Sequence, residues 1–399
     1  MAERKSLKEV YPQKYSLKLI CRLLYYSGFG DYWYEPMDRS ALEKRLYPIW
    51  VVISNGFLAF GIFNEFMAYT RADLTEKEMN DLMQHTFAHS SVYSKFVIIY
   101  LQRKRIRAVL KRFVEETRSI YSSSEIDKAA TNKSFRFCFA MGFILFVTLT
   151  SAEIDGVRAH FQEDIPIRGE VIYYPSKNQT GILVNLMRFS AEFHWYYLVA
   201  IMTVADSLAI CSMIYIEAKF KLLQLYFQNL GNTLKDETKN ITEREEEYKK
   251  RFIDGIRLHE DALWSANSIQ YALGTIYSVQ IFESLSLLVV CLIKLVASEL
   301  TLLRVIAILA YTTCMITLTG TYMIAAGDIT HEASMLSTSI FHCGWELYLK
   351  KSEILPLAVV AIQRSQVPVY MTAFGVIELS YVNFISVLRS SYSFFAVMY

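Results

Sequence analysis

Seven stretches of predominantly apolar residues, each about twenty or more residues long, recur along the chain and constrain its fold more than any other feature. A helix of that length crosses the hydrocarbon core of a bilayer, and a helix satisfies its backbone hydrogen bonds internally. The sequence therefore predicts an all-α integral membrane protein with seven transmembrane helices. The predicted spans are 46–69, 82–101, 134–153, 186–211, 265–297, 302–327 and 368–398.

Composition and motifs exclude several other classes of protein. Hydrophobic residues make up 53% of the 399 residues and the net charge is only +2, which excludes a disordered chain and a nucleic-acid binder. The six cysteines are scattered without a CxxC pair, so we expect free thiols and no zinc site. The chain has no GxSxG, HExxH or Gly-rich phosphate loop. We therefore expect neither an enzyme nor a bound cofactor or metal.

The distribution of Lys and Arg predicts the orientation of the spans. Cytoplasmic connections of membrane proteins are enriched in these residues. Thirty of the 41 lie in 1–45, 102–133, 212–264 and 328–367, whereas five lie in 70–81 and 154–185. We therefore expect a cytoplasmic N-terminus and an extracellular C-terminus. Residues 1–45 show no secretory signal, so the first span is expected to direct insertion.

One glycosylation sequon agrees with this orientation. Asn178 begins the sequence Asn178-Gln-Thr in the connection 154–185, which the topology places outside the cell. The other two sequons, at Asn132 and Asn240, fall on the cytoplasmic side and are expected to remain unmodified. Asn178 is therefore the candidate glycosylation site.

The topology argues against two common classes of membrane protein. G-protein-coupled receptors have their N-terminus outside and carry Asp-Arg-Tyr and Asn-Pro-x-x-Tyr signatures, which are missing here from the expected places. Secondary transporters show corresponding half-chains with helices broken by Gly and Pro, and the two halves of this chain do not correspond.

Ionisable residues within the predicted spans are candidates for function, because each is costly in a membrane unless it is paired or wetted. Asp81, His85 and His89 recur at intervals of four and so share one helix face. This spacing suits a metal site, but no fourth ligand is apparent, so ligand contact and ordinary packing are the alternatives. The others, expected to pair between helices or to face water, are Glu192, His194, Asp206, Glu283, Lys294, Glu378 and Arg389.

A polar stripe marks the last predicted span. Its members recur at intervals of three and four residues, which places them on one face of a helix, and Val397 is the next position on that face. Copies of the helix around an axis would form a wetted pore wall with Val397 as a hydrophobic constriction. A small-residue contact between helices is the alternative. The stripe consists of Asn383, Ser386, Ser390 and Ser393.

The C-terminal region resembles the signature of insect odorant receptors. The similar pieces are Gly344-Trp345, Ile362-Gln-Arg-Ser-Gln-Val-Pro368 and Ser390-Ser-Tyr-Ser-Phe-Phe395. Upstream, Gly327-Asp-Ile-Thr-His-Glu332 is similar to a Gly-Asn…Glu stretch of that family, with Asp328 where Asn is usual. The first 300 residues match only in length, spans and orientation.

This resemblance implies a tetrameric, odorant-gated, non-selective cation channel in the plasma membrane of olfactory sensory neuron dendrites. The seventh helix would line the pore, and alignment of its end places the hydrophobic gate at Val397. Na⁺ and K⁺ are the expected permeant ions, with Ca²⁺ as a further candidate. The connection between the fourth and fifth spans is short, unlike that of the family's co-receptor. The chain therefore resembles an odorant-tuning subunit, which would form a heterotetramer with the co-receptor within membrane lipid.

The resemblance also divides the chain into functional parts. These are a cytoplasmic segment (1–45), a ligand-binding bundle of helices 1–4 (46–211), cytoplasmic extensions within an anchor (212–264), helices 5 and 6 (265–327), an anchor helix (328–367) and the pore helix (368–399). The anchor would join the subunits of the tetramer.

The family's ligand pocket lies in the outer half of the bundle, between the second, third, fourth and sixth helices. The corresponding positions here are mostly aromatic or apolar, which suits a small neutral volatile bound mainly by dispersion. Helix packing is the alternative for each residue. The candidates are His85, Phe87, His89, Val92, Phe146, Leu149, Thr150, Phe193, Tyr196, Tyr197, Tyr311 and Met315.

Two other functions remain as alternatives. A gustatory receptor of the same superfamily would also form a channel, but it usually ends in a Thr-Tyr-…-Gln-Phe motif that is absent here. A non-channel seven-helix receptor is the more distant alternative.

Overall fold

The computed structural model describes residues 12–36, 39–114, 121–163, 172–176, 178–297, 302–349 and 351–398. Within these ranges the chain is almost entirely helical, with one short hairpin. The helices are α1 (Pro12–Tyr26), α2 (Ala41–Ala68), α3 (Glu76–Leu101), α4 (Arg103–Val114), α5 (Ser124–Glu163), α6 (Ile182–Leu230), α7 (Ile241–Ala297), α8 (Leu302–Phe341), α9 (Lys351–Ser365) and α10 (Tyr381–Met398). Strands β1 (Thr372–Ala373) and β2 (Ile377–Glu378) form the hairpin, and 3₁₀ turns occupy Gly231–Thr233 and Trp345–Leu347.

The first six predicted spans each coincide with one helix, from α2 and α3 through α5 to α8. By length and apolar composition, five helical segments in the described part of the chain can cross a membrane. They are Ala41–Ala68, Ser124–Ile154, Ile182–Thr233, Ile241–Val296 and Val305–Leu347. The second and seventh predicted spans lie in α3 and α10, whose apolar runs are interrupted by polar side chains. Seven crossings and their orientation therefore stay a prediction.

The last helix begins at Tyr381, so the prediction of a helix from residue 368 is wrong for its first part. The intervening residues form an antiparallel hairpin, in which Thr372 pairs with Glu378. Phe374 and Gly375 adopt positive φ angles of 55° and 71° at its turn. Ser380 then starts the helix, because its hydroxyl accepts a hydrogen bond from the backbone N–H of Asn383 at 3.2 Å.

The helices α6, α7 and α8 continue well past the ends of their predicted spans. Most of the predicted cytoplasmic segments 212–264 and 328–367 is therefore a continuation of membrane helices. At this end, called the base, the α6–α7 connection packs against the segment that follows α8. A Cβ on Gly344 would lie 2.9 Å from the Cα of Gly231, and Gly344 has a φ of 92°. Only glycine fits this contact between two backbones.

The opposite end of the bundle, called the loop end, is held together by the α2–α3 connection. The Arg71 guanidinium donates to both carboxylate oxygens of Asp73, each at 3.0 Å, and to the backbone carbonyl of Tyr173 at 2.9 Å. The Ser176 hydroxyl donates to the same carboxylate at 2.5 Å. Asn178, the candidate glycosylation site, is exposed in this segment.

Candidate ligand cavity and pore helix

A small cavity of about 40 Å³ lies between five helices in the half of the bundle nearest the loop end. Five helices contribute to its walls, namely α3, α5, α6, α7 and α8. The cavity lies near the C-terminal end of α7 and the N-terminal end of α8. The lining residues are Gln84, His85, Thr148, Ser151, Ala152, Trp195, Cys291, Lys294, Ala307, Ile308 and Tyr311. Room for a water needs about 10–15 Å³ by this measure, so the cavity admits water and is too small for a volatile of ten heavy atoms.

The wall formed by α3 is fixed by local hydrogen bonds and one ion pair. Asp81 and His85 lie one turn apart, and Nδ1 of His85 lies 2.8 Å from the backbone oxygen of Asp81. The Asp81 carboxylate pairs with the Lys294 ammonium of α7 at 2.6 Å. The wall therefore presents a neutralised charge pair beside an imidazole.

The third member of the predicted face, His89, lies deeper and binds α2 instead. Its Nδ1 lies 2.5 Å from the Glu65 carboxylate, and both side chains are buried. A second imidazole, His194 of α6, contacts the backbone carbonyl of Leu58 at 3.2 Å. A Cβ on Gly61 would lie 2.2 Å from the His194 ring, so a glycine is required where α2 crosses α6. Among the described residues, no group of three or more His, Cys, Asp or Glu side chains could hold a metal ion.

Of the predicted ligand residues, only His85 and Tyr311 line this cavity. Leu149 packs against Trp195 directly beside it, and Met315 is buried one helical turn beyond Tyr311. Val92 is also buried in the bundle core, whereas Phe87 packs against Phe282.

The remaining predicted ligand residues lie outside the cavity wall. Phe146 is 62% exposed, and the Thr150 hydroxyl donates back to its carbonyl at 2.8 Å. Phe193 and Tyr196 are 55% and 40% exposed on the outward face of α6. The Tyr197 hydroxyl lies 2.7 Å from that of Ser54, which joins α6 to α2.

Sequence reasoning missed Trp195 and Gln84, and it named Lys294 only as a span residue expected to pair between helices or to face water. On α6, residues 193, 196 and 197 form one face, and Trp195 lies on the opposite one. Both faces of a membrane helix are apolar, so hydropathy does not distinguish them. The available signal was the ion pair, because Asp81, at the outer end of the second predicted span, and Lys294, within the fifth, are oppositely charged.

A buried charge cluster lies deeper in the bundle than the cavity. Lys95 of α3 is fully buried, and its ammonium lies 3.2 Å from the Glu283 carboxylate and 3.5 Å from that of Asp206. It also donates to the side-chain oxygen of Gln280. The Tyr322 hydroxyl of α8 donates to Asp206 at 2.8 Å. Asp206 and Glu283 therefore take part in interhelical pairing, one of the two alternatives expected from the sequence.

The polar stripe of α10 lies partly outside the contact with its own bundle. Ser386 and Ser393 are exposed, and Asn383 and Ser390 are half-buried. Val397 is 87% exposed. The face that packs inward instead carries Val387 and Ser391, both buried.

A second ionic cluster joins the start of α10 to the other helices. Lys133 of α5 binds the carboxylates of Glu217 on α6 and Asp328 on α8. Asp328 in turn accepts a hydrogen bond from the hydroxyl of Tyr381, the first residue of α10. A Cβ on Gly327 would lie 3.1 Å from the Tyr381 ring, so this glycine lets the ring lie against α8. We call Lys133, Asp328 and Tyr381 the α10 tie.

Electrostatics at the loop end make it sensitive to acid. Hydrogen bonds from the Arg71 guanidinium and from the Ser176 hydroxyl hold the pKa of Asp73 well below its usual value. A carboxyl with a depressed pKa in the folded state contributes stability at pH values above its unfolded pKa of about 4. That contribution is lost as the pH falls below this value.

We therefore expect the segment around Ser176 to loosen on acidification below about pH 4, where the unfolded carboxyl protonates. A nitroxide attached at Gln179→Cys reports the motion, because five of the six native thiols are buried and Cys138 is half-buried. Its mobility in detergent should stay low down to about pH 4, should increase progressively as the pH falls further, and should be high at all pH values in Asp73→Asn. Mobility that stays constant until the whole protein unfolds would contradict this role of Asp73.

Comparisons with known proteins agree with this architecture. The chain matches the sequence profile of the 7tm Odorant receptor family over residues 76–392. Its fold is similar to that of the insect olfactory receptor OR5 from Machilis hrabei, with a TM-score of 0.75, 12% identity and 96% of each chain covered. The same receptor in complex with eugenol gives a TM-score of 0.74 at 13% identity, again with 96% of each chain covered. A comparison with curated protein sequences finds no match.

Proposed function

The chain belongs to the 7tm odorant receptor family, and on that premise we propose that it is an odorant-tuning subunit of a ligand-gated, non-selective cation channel. The membrane helices and the family fold support a receptor channel rather than an enzyme. The observation that carries the proposal is the pairing of a cavity between five helices with a last helix whose polar stripe is largely uncovered. One can bind a ligand and the other can line a pore.

The proposed ligand is a small volatile that enters the cavity beside His85 and Tyr311. The cavity wall is mainly apolar, with a few polar groups that can orient a ligand. The relative from Machilis hrabei was solved in complex with eugenol, which supports a ligand of this size. Because the cavity admits only water, the described arrangement corresponds to the unliganded receptor, and binding must widen the cavity.

The proposed pore is formed by α10 from each subunit. Asn383, Ser386, Ser390 and Ser393 would wet its wall, and Val397 would form the constriction. The exposure of Val397 in the single chain supports this role, since a gate residue must face the pore axis. Na⁺, K⁺ and Ca²⁺ would pass, because a hydrophobic ring over a polar wall imposes no size filter.

The proposed assembly is a heterotetramer with the odorant co-receptor in the plasma membrane of sensory dendrites. The α6–α7 connection spans only 231–240, which supports a tuning subunit rather than the co-receptor. The base, formed by the ends of α6 to α9, would supply the anchor between subunits.

The gate is tested by Val397→Ala, expressed with the co-receptor and recorded in whole cells. Removing two methyl groups weakens the dry constriction, and at about 0.8 kcal/mol per group the odorant-independent current should rise roughly tenfold. Val382→Ala, an equally exposed valine at the opposite end of α10, is the matched control and should behave as wild type. An unchanged basal current in Val397→Ala at normal surface expression would remove Val397 from the gate.

A further inference from the structure

Two hydrogen-bond acceptors in the cavity wall have no partner within the described part of the protein. The first is Nε2 of His85. Its other ring nitrogen lies 2.8 Å from the backbone oxygen of Asp81. A carbonyl can only accept, so the proton of the neutral ring resides on Nδ1 and donates to Asp81. Nε2 is then a bare acceptor on a side chain that is 2% exposed.

The second acceptor is the side-chain oxygen of Gln84, the preceding residue on α3. Gln84 is 5% exposed, and its side chain is hydrogen-bonded to Tyr311 across the cavity. Its oxygen has no partner among the described residues. The two unpaired acceptors therefore lie on adjacent residues that both line the cavity.

Three other polar groups of the wall already have partners. The Thr148 hydroxyl donates to the carbonyl of Ile144 at 2.8 Å, and the Ser151 hydroxyl donates to that of Thr148 at 2.8 Å. The Lys294 ammonium is paired with Asp81. Trp195 and Ile308 supply apolar surface. A ligand that fits this wall therefore donates a hydrogen bond at Gln84 or His85 and presents apolar surface to the rest of the cavity.

From this arrangement we propose that the receptor selects volatiles that carry a hydroxyl donor, namely alcohols and phenols, through Gln84 and His85. The inference rests on the proposed odorant-binding function and specifies its ligand class. A buried unpaired acceptor costs about 1–3 kcal/mol, and a ligand O–H removes this cost for one of the two acceptors, whereas an ether or a hydrocarbon displaces water and leaves both unpaired. The receptor therefore discriminates against ligands that lack a hydroxyl donor, because they leave a buried acceptor unpaired.

The test compares matched volatiles in cells that express the receptor with the co-receptor. The probes are 4-ethylphenol and 1-octanol, with 4-ethylanisole and octyl methyl ether as their respective methyl ethers. The hydroxyl compounds should reach half-maximal current at concentrations at least about tenfold lower than their ethers, equivalent to about 1.4 kcal/mol. Gln84→Met and His85→Phe should each reduce the preference, because the remaining acceptor can still bind the single ligand O–H, and the double variant should bring the paired compounds close to equal potency. Thr313→Ala, which removes an exposed hydroxyl of α8 that donates to the carbonyl of Leu309 outside the cavity wall, should keep the wild-type preference.

The outcomes separate the ligand class from the channel function. Ethers that activate as well as their alcohols, or a preference that is undiminished in the double variant, would overturn the selection of hydroxyl donors and leave the channel intact. No response to either hydroxyl compound would also overturn it if Val397→Ala still carries its basal cation current. If that current is absent in cells with normal surface labelling, the channel assignment itself fails. Should the double variant not reach the surface, the two single variants decide, and an undiminished preference in both would overturn the selection.

Discussion

Replacing Lys95 by Met is expected to remove most of the receptor from the cell surface. Lys95 is fully buried and lies between the carboxylates of Asp206 and Glu283. Met fills a similar volume but leaves both carboxylates without a counter-charge in the bundle core. Breaking a buried ion pair by removing one partner typically costs about 3–5 kcal/mol, which is comparable with the whole stability of many domains. Surface biotinylation and thermal stability in detergent measure the loss.

A compensating variant makes this prediction specific to charge. Lys95→Met combined with Asp206→Asn and Glu283→Gln removes every charge of the cluster, and it should recover much of the surface expression. Lys104→Met, at an exposed lysine of α4, is the matched control and should be neutral. If the triple variant is no better than Lys95→Met, the lysine acts through its packing rather than through its charge.

Breaking the α10 tie is expected to make the channel open more easily. The tie is present in an arrangement whose cavity is too small for a volatile, so it stabilises the resting state. Lys133→Met leaves Glu217 of α6 with Lys221 as its cation and Asp328 of α8 with none among the described residues. Repulsion from Glu217 then displaces the Asp328 carboxylate, which weakens its hydrogen bond with Tyr381 of α10. Lys133 and Asp328 are partly exposed, so solvent screens the effect, whereas Glu217 is buried. We expect about a tenfold lower half-activating concentration, equivalent to about 1.4 kcal/mol, and a raised basal current.

The tie can be separated from general damage at the base. Tyr381→Phe removes only the hydroxyl that binds Asp328 and should shift activation in the same direction by a smaller amount. Lys133→Arg keeps the charge, and Lys128→Met changes an exposed lysine of the same helix; both should resemble wild type. A higher half-activating concentration in Lys133→Met would show that the tie stabilises the open state instead.

The helices could be predicted because crossing a bilayer fixes both their length and their apolar character. The start of α10 could not, because Val367, Val369 and Ile377 continue the apolar run through a hairpin. That hairpin depends on backbone angles at Phe374 and Gly375, which hydropathy does not register. The C-terminal motifs indicated the family, and one of them contains Gly344, which lies at a close contact between two backbones.

The cavity wall was predicted only in part, for a different physical reason. A lipid-facing residue and a cavity-facing residue of a membrane helix are both apolar, so Phe193 and Trp195 are equivalent by composition. Which of the two residues faces the cavity depends on how α6 packs against its neighbours. A polar residue, His85, is among the sequence-predicted ligand residues that line the cavity. Lys294 was noted in its span, but its partner across the bundle was not.

The uninterrupted length of α7 bears on how the cavity can grow. Its 57 residues correspond to a rod of roughly 85 Å at about 1.5 Å per residue. Cys291 and Lys294 lie near one end of this rod, in the cavity wall, and Tyr248 is fully buried near the other, at the base. If the base acts as a pivot, a tilt of about 3° moves the cavity end by roughly 4 Å over that length. A small tilt of α7 can therefore widen the cavity for a ligand while every backbone hydrogen bond of the helix is kept.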